Sequence, residues 1–258
     1  ARTNREAAQS AMCAAITGVT PEYGLLLEQN RAGDVLIQVE ADVDSEYDYE
    51  LLGYITPKKM GQAYHCPVFN GLSKQTTSEQ LMDLGTQLNI HGIVPMFHVV
   101  GVTPEAADVH TAFLGRKDPP VVTITNEDWA QARAEISAGT GKADFCILGC
   151  PHLTINQVGS IAKMLDGQQL AGQLYIFTST STKELAQRMG YLDIIHKAGG
   201  EIVINSCVDQ PCWSHLYGMS GVTESPKCAY YTKRWNMTFT VKSIPACIQS
   251  VLKGEIVS

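Results

Sequence analysis

The chain has 258 residues, with 19 basic and 26 acidic side chains and a formal net charge of −7. Hydrophobic residues make up 45% and charged ones 17%, which excludes a disordered chain; the acidic balance without a Lys/Arg cluster argues against nucleic acid or an anionic membrane as partner. No apolar run approaches the roughly 18 residues that span a bilayer and no signal-peptide pattern opens the chain, so a soluble, cytoplasmic protein is expected. The chain opens on Ala1-Arg2-Thr3-Asn4-Arg5-Glu6, and Glu6–Ile16 carries an Ala-rich helical pattern that Gly18 stops. Asp34–Glu40 reads as a strand. Ser45–Ile55 reads as a helix ended by Thr56-Pro57, because the residue before a proline is pushed out of the helical region. Cys66–Gly71 reads as a short strand running into a turn, Thr77–Leu88 has helical spacing, and Ile93–Gly101 reads as a buried strand. Gly115–Pro120 joins charge, Gly and two prolines, which makes it the linker candidate between a mixed α/β region, residues 1–115, and a more regular domain, residues 121–258.

In that second part strands and helices alternate. Strand Val121–Thr125 leads to helix Glu127–Ile136, strand Asp144–Leu148 to helix Ile155–Leu165, and strand Gln173–Thr178 to helix Lys183–Lys197. Strand Glu201–Asn205 follows, then a helix near Pro226–Lys233, a strand at Met237–Val241 and a helix at Ile244–Leu252. Alternating β and α with near-continuous apolar strands predicts an α/β fold, a parallel sheet of repeated β-α units covered by helices.

Ligands of such sheets sit beyond the carboxyl ends of the strands. Strand Asp144–Leu148 ends in Gly149-Cys150-Pro151-His152, strand Gln173–Thr178 in a Ser/Thr run up to Thr182, and strand Glu201–Asn205 in Ser206-Cys207. Thr223-Glu224-Ser225-Pro226-Lys227 enters another helix. Each item has a plainer reading. Thr154, Thr182 and Ser225 suit helix N-caps, and His152 can satisfy a backbone carbonyl. Arg2 and Arg5 suit either solvent or bidentate contact with a carboxylate. Two cysteines ending strands of one sheet, with hydroxyls, a histidine and a lysine on the same edge, point to a site.

Eight cysteines are present: Cys13, Cys66, Cys146, Cys150, Cys207, Cys212, Cys228 and Cys247. A chain of this length needs no disulfide framework, and Cys13, Cys146 and Cys247 are expected among buried apolar side chains. A zinc site built on Cys146 and Cys150 is disfavoured, since four strand steps place them about 13 Å apart. An iron–sulfur cluster fits better because its thiolates come singly from distant loops. Cys150 and Cys207 are two candidate ligands. Cys66 or Cys212 would supply the third, unless it lies upstream of Ala1.

The strings ARTNRE (1–6), GCPH (149–152), NSC (205–207) and ESPK (224–227), together with TGVTPEYGLLLEQNR (17–31), resemble the aconitase X family over essentially the whole chain. The resemblance implies an aconitase-like hydro-lyase that acts on cis-3-hydroxy-L-proline or on mevalonate 5-phosphate. It implies an iron–sulfur cluster or iron, held by Cys150 and Cys207, and a small swivelling subunit or domain as partner. Arg2, Thr3, Asn4, Arg5, His152, Ser225 and Lys227 would line the substrate. The third family cysteine, upstream of the ARTNRE block, and the serine base, on the swivelling domain, fall outside this sequence. The chain is therefore expected to be the C-terminal part of a large subunit, inactive alone and frayed at its N-terminal arginines. An arginine that the family places after strand Gln173–Thr178 is missing here. The hydroxyproline is the expected substrate, because no Gly-rich phosphate cradle is visible. Two rivals remain: a metal-free racemase or dehydratase using Cys150 and Cys207 as a thiol acid/base pair, and a non-catalytic binding module on a doubly wound sheet.

Overall fold

The computed structural model describes residues 2–137 and 139–257. Its contacts divide the chain into two units, residues 1–41, 56–76 and 91–125, and residues 42–55, 77–90 and 126–258. Each unit is built on its own parallel sheet.

In the first unit, α1 (Ala8–Thr17) stops at Gly18, whose φ of +72° ends the helix in the left-handed region. It buries none of its residues, and Cys13 is exposed. The expected burial of Cys13 fails along with that of the whole helix, whose Met12 and Ile16 are exposed as well. Strand β1 (Val35–Val39) alternates buried Val35, Ile37 and Val39 with half-buried neighbours. Helix α2 (Glu46–Met60) begins in the second unit, passes through Pro57 and ends in the first. The expected stop at Thr56-Pro57 does not occur. A mid-helix proline costs about 3 kcal/mol, and the buried Leu52, Ile55 and Met60 around it contribute about 1.5–3 kcal/mol each. Strand β2 (Pro67–Asn70) is followed, in the second unit, by α3 (Ser78–Gln87), which Thr77 and Gln80 close with a capping box.

Of the strand expected over Ile93–Gly101 only β3 (His98–Val99) forms; Pro95 removes a ladder donor, and Ile93 is 69% exposed. After α4 (Val109–Ala112) comes β4 (Val121–Ile124). The first sheet has the order β3-β2-β1-β4, with Val35 opposite Pro67 and Leu36 opposite Val121. Gly115–Pro120 therefore does not separate two sheets, because β4 on its far side pairs with β1.

The second unit contains α5 (Asn126–Ile136), β5 (Phe145–Leu148), α6 (Ile155–Leu165), β6 (Gln173–Thr178), α7 (Thr180–Arg188), α8 (Tyr191–Ala198), β7 (Gly200–Ile204), β8 (Ser220–Thr223), α9 (Pro226–Thr232), β9 (Thr238–Val241) and α10 (Ile244–Lys253). The single helix expected over Lys183–Lys197 is two, broken at Gly190, where φ is +78°. Strand β8 is absent from the sequence reading: it is four residues long and begins Ser-Gly. Gly221 is needed there, since a Cβ would meet the Phe145 ring at 2.5 Å.

The second sheet has the order β7-β6-β5-β8-β9, all parallel, with β5 central and buried throughout. Period-two alternation sorts its core. Cys146, Leu148, Leu174 and Ile176 face Val158, Ile161, Leu165, Ile195, Cys247 and Val251. Phe145, Ile147 and Phe177 face Trp213, Leu216, Cys228 and Met237 on the other side. Among the described residues no helix is long and apolar enough to cross a membrane.

Candidate functional site

From β5 the chain steps outward through β6 and β7, then returns to the other side of β5 as β8 and β9. The strand order reverses between β5 and β8, and the crevice beyond the carboxyl ends at such a point is where open sheets hold ligands. The two strand exits that flank it are Gly149-Cys150 and Glu224-Ser225.

Gly149 turns the chain with a φ of +116°, and a Cβ there would sit 2.8 Å from the Phe177 Cβ. The turn aims two successive backbone N–H groups at one carboxylate. Gly149 N–H donates to Glu224 Oε1 at 2.6 Å and Cys150 N–H donates to the same oxygen at 3.1 Å. Thr223 Oγ1 donates to Glu224 Oε2 at 3.3 Å. Burial pushes the Glu224 pKa up, against these hydrogen bonds, which pull it down.

Gln87, fully buried at the end of α3, ties the same loops from the opposite side. Its Nε2 donates to the Cys150 carbonyl at 3.3 Å and to Ser225 Oγ at 3.1 Å, and its Oε1 accepts from Lys227 N–H at 2.9 Å. Ser225 Oγ also accepts from Cys228 N–H at 3.2 Å, capping α9. Ser225 is wholly buried with its hydroxyl engaged, so it supports the pocket from behind rather than facing it. Lys227, in the first turn of α9, is half-buried. Gln87 and Glu224 went unassigned in the sequence. Glu224 sits within ESPK, whereas Gln87 carries no local signal, being one polar residue in an amphipathic helix.

Cys150 is half-buried against the Phe145–Trp213 side of the sheet. Burial raises its thiol pKa; the Ser225 hydroxyl opposes this, Glu224 adds to it and Lys227 opposes it. Cys207 is exposed beyond β7. Asp209 N–H donates to its Sγ at 3.4 Å, and Trp213 Nε1–H donates to its carbonyl at 3.1 Å. Strand β6 lies between β5 and β7, so the two cysteines do not follow adjacent strands, although both lie on the carboxyl edge of one sheet. The exits are joined by His152, whose Nε2 lies 3.2 Å from the Ser206 carbonyl oxygen. Thr154 caps α6 with Gln157 in a capping box, while Ser179, not Thr182, caps α7.

The N-terminal candidates belong to the first unit, and Ala1 lies outside the described residues. Arg2 is not frayed: it pairs with Glu28 at 3.7 Å and with Glu105 at 3.6 Å. Asn4 Oδ1 accepts from Leu25 N–H at 2.6 Å and its Nδ2 donates to the Tyr23 carbonyl at 3.1 Å. Arg31 closes this knot, donating to Glu105 at 2.6 Å and to the Leu25 carbonyl at 2.9 Å. Thr3 and Arg5 are exposed. The two separated strings ARTNRE and TGVTPEYGLLLEQNR thus fasten to one another.

Two thiols on one sheet edge, one of them exposed, suit two corners of an iron–sulfur cluster. Among the described residues no group of three His, Cys, Asp or Glu side chains could hold a metal ion. Cys66 is buried, and burial first and Asp34 second push its thiol up to about 12. Cys212 is exposed in the short 3-10 turn Pro211–Leu216. Cys146 and Cys247 are buried in the core.

Residues 33–134 match the family model for the aconitase X second domain, and residues 143–253 that for the third domain. The phosphomevalonate dehydratase large subunit of Methanothermobacter thermautotrophicus is 37% identical over 232 residues, 90% of this chain and 56% of that protein. The cis-3-hydroxy-L-proline dehydratase of Pseudomonas aeruginosa is 33% identical over 221 residues, 82% of this chain and 37% of that protein. The crystal structure of Thermococcus kodakaraensis aconitase X in its holo-form superposes with a TM-score of 0.84 at 31% identity, covering 97% of this chain and 63% of that one. The chain spans less than two thirds of the length of these relatives. With both domain models matched in order, and with the fold shared, the chain belongs to the aconitase X family.

Proposed function

We propose that this chain carries part of the active site of a hydro-lyase that removes water from a small hydroxy acid, with an iron–sulfur cluster or iron held partly by Cys150 and Cys207. The observation that supports it is the β5–β8 crevice, where Glu224 and Gln87 fix the Cys150 loop and the start of α9 together. Relatives of both named kinds are dehydratases, which supports elimination as the reaction class.

Iron bound at this edge would supply a Lewis acid for the leaving hydroxyl. The protein's part is placement. Glu224 takes the two N–H groups of the Gly149–Cys150 turn, so the Cys150 side chain leaves the loop in one direction. Gln87 holds the Lys227 backbone, which leaves the Lys227 ammonium to meet a substrate anion near the crevice. His152 is exposed, with its ring oriented by the Ser206 carbonyl, and so borders the space between the two exits. The large-subunit names of the relatives support a second, smaller subunit as partner.

The test is anaerobic reconstitution with iron and sulfide of the chain extended to the full length of its large-subunit relatives, with a small-subunit partner supplied, followed by turnover assays on cis-3-hydroxy-L-proline and on phosphomevalonate. Loss of iron and of turnover in both Cys150→Ser and Cys207→Ser is the expected result. Full turnover by chelator-treated, iron-free protein would instead establish the two-thiol acid/base reading. No turnover of either hydroxy acid by iron-loaded protein would favour the binding module.

A further inference from the structure

On the other side of the second sheet from Cys150 lies a cavity of about 870 Å³, at the carboxyl ends of β5, β8 and β9. We propose that this cavity binds a small organic ammonium cation, seated against the carboxyl groups of Glu50 and Asp83. Glu224 forms the wall shared by this cavity and the Cys150 turn, and the proposal does not rest on the function proposed above.

The walls set the sign of the ligand. Glu46, Glu50, Glu79, Asp83 and Glu224 line the cavity against two cations, Arg133 and Lys242. Arg133 is already paired with Asp48 at 2.9 Å. An anion would meet net repulsion there. The two innermost acids are 2% and 3% exposed, and Glu50 Oε1 and Asp83 Oδ2 have no hydrogen-bond partner. Unpaired buried carboxyl oxygens are unfavourable by several kcal/mol, so native sites leave them only where something else satisfies them. An ammonium N–H group supplies the missing donors and the missing charge together.

Size and surface choose among cations. No set of three His, Cys, Asp or Glu side chains among the described residues could hold a metal ion. The volume lies inside the range of about 300–1,000 Å³ for small-molecule sites. Leu153, Met164, Ile244 and Pro245 give it an apolar wall for a carbon skeleton. An alkylammonium has both parts.

The proton balance supports the same ligand. Burial, then Glu46, Glu224 and Glu79, push the Asp83 carboxyl up to about 8. Burial, then Glu224 and Asp83, with Cys247 and Cys150 adding, raise Glu50 well above the usual carboxylate range. Asp83 is therefore mainly protonated at neutral pH, and the Glu50 carboxyl is shifted in the same direction. A bound ammonium favours the ionised form, so binding releases protons to solvent and tightens as pH rises toward about 8.

The experiment is calorimetric titration of the full chain with 1,4-diaminobutane, on both sides of neutral pH, in two buffers of different ionisation enthalpy. Saturable binding with proton release, tightening up to about tenfold per pH unit for each proton released, is expected. Asp83→Asn and Glu50→Gln should each weaken it about tenfold or more while leaving the chain folded. Ser160→Phe, which fills the cavity from the exposed side of α6 and keeps both acids, should abolish it. If the amide variants fail to fold, Ser160→Phe and the wild-type pH dependence decide. Absent binding, pH-independent binding, binding unchanged in the variants, or equal competition by potassium or magnesium chloride would each overturn the proposal.

Discussion

Cys150 and Cys207 leave parallel strands of one sheet on the same edge, yet their surroundings are built on opposite lines. The Cys150 turn is enclosed by polar groups that are themselves buried: Glu224 below its two N–H groups, Gln87 on its carbonyl, and a glycine that no side chain could replace. The Cys207 turn is exposed and held by the Trp213 indole N–H and one backbone N–H to sulfur. A satisfied buried polar network fixes one geometry, because any displacement leaves a desolvated donor or acceptor unpaired. The first exit is therefore set by the fold. The second is held by fewer and more exposed contacts.

Breaking the first exit should have the largest effect. Gly149→Ala places a Cβ against Phe177 at a φ of +116°, combining backbone strain with overpacking, and should destabilise the second unit by about 3 kcal/mol or more. A shift of the urea midpoint measures it; a loss below about 1 kcal/mol would show that the turn relaxes freely. Gln87→Leu is next. It leaves the Lys227 N–H, the Ser225 hydroxyl and the Cys150 carbonyl without their side-chain partner, for about 2–3 kcal/mol.

The third contrast is in pH. Asp83 is buried in the cavity whose wall includes Glu224, the carboxylate that holds the first exit. Its folded-state pKa is pushed up to about 8 from an ordinary carboxylate value, so the native protein holds a proton there that the unfolded chain has lost. That stabilisation is complete below the unfolded pKa and is lost as pH rises through the window up to the folded one. Stability of the second unit should therefore fall between about pH 4 and 8, by at most about 1.4 kcal/mol per pH unit for each such group. In Asp83→Asn the slope should shrink; a slope unchanged by that substitution would move the effect to other groups.

The same asymmetry explains what could be read from the sequence. Alternation and apolar strands make β1, β5, β6, β7, α6 and α10 legible, and the three strings containing Cys150, Cys207 and Lys227 stand at strand exits where chemistry collects. The switch point was not legible, because β8 is four residues with a glycine and shows no periodicity. Without β8 the partnership of Glu224 with the Cys150 turn cannot be drawn. Gln87, Glu50 and Asp83 sit in helices far upstream, and only the fold brings them beneath this edge. Pro57 and Gly190 shift helix ends for a related reason: burial outweighs a local stop signal at Pro57, while Gly190 breaks a pattern that looks continuous in sequence.

The smallest expected effect tests the second exit directly. Trp213 packs edge-on to Phe177 and Tyr175, with ring centroids 5.3 Å and 5.1 Å away, so Trp213→Phe keeps most of the apolar contact and removes the indole N–H. The loss of one partly exposed hydrogen bond should lower stability by about 1 kcal/mol. Its informative readout is site-resolved alkylation by mass spectrometry, since Cys13 and Cys212 are also exposed and would blur a bulk thiol assay. In the wild type Cys207 should label faster than Cys150, because exposure favours it while burial keeps the Cys150 thiol protonated. Freed from the indole, the Cys207 turn should label a few-fold faster, following the opening free energy of that single bond, with Cys150 unchanged. Equal acceleration at both cysteines would mean that the two exits move as one body, and the contrast between them would fail.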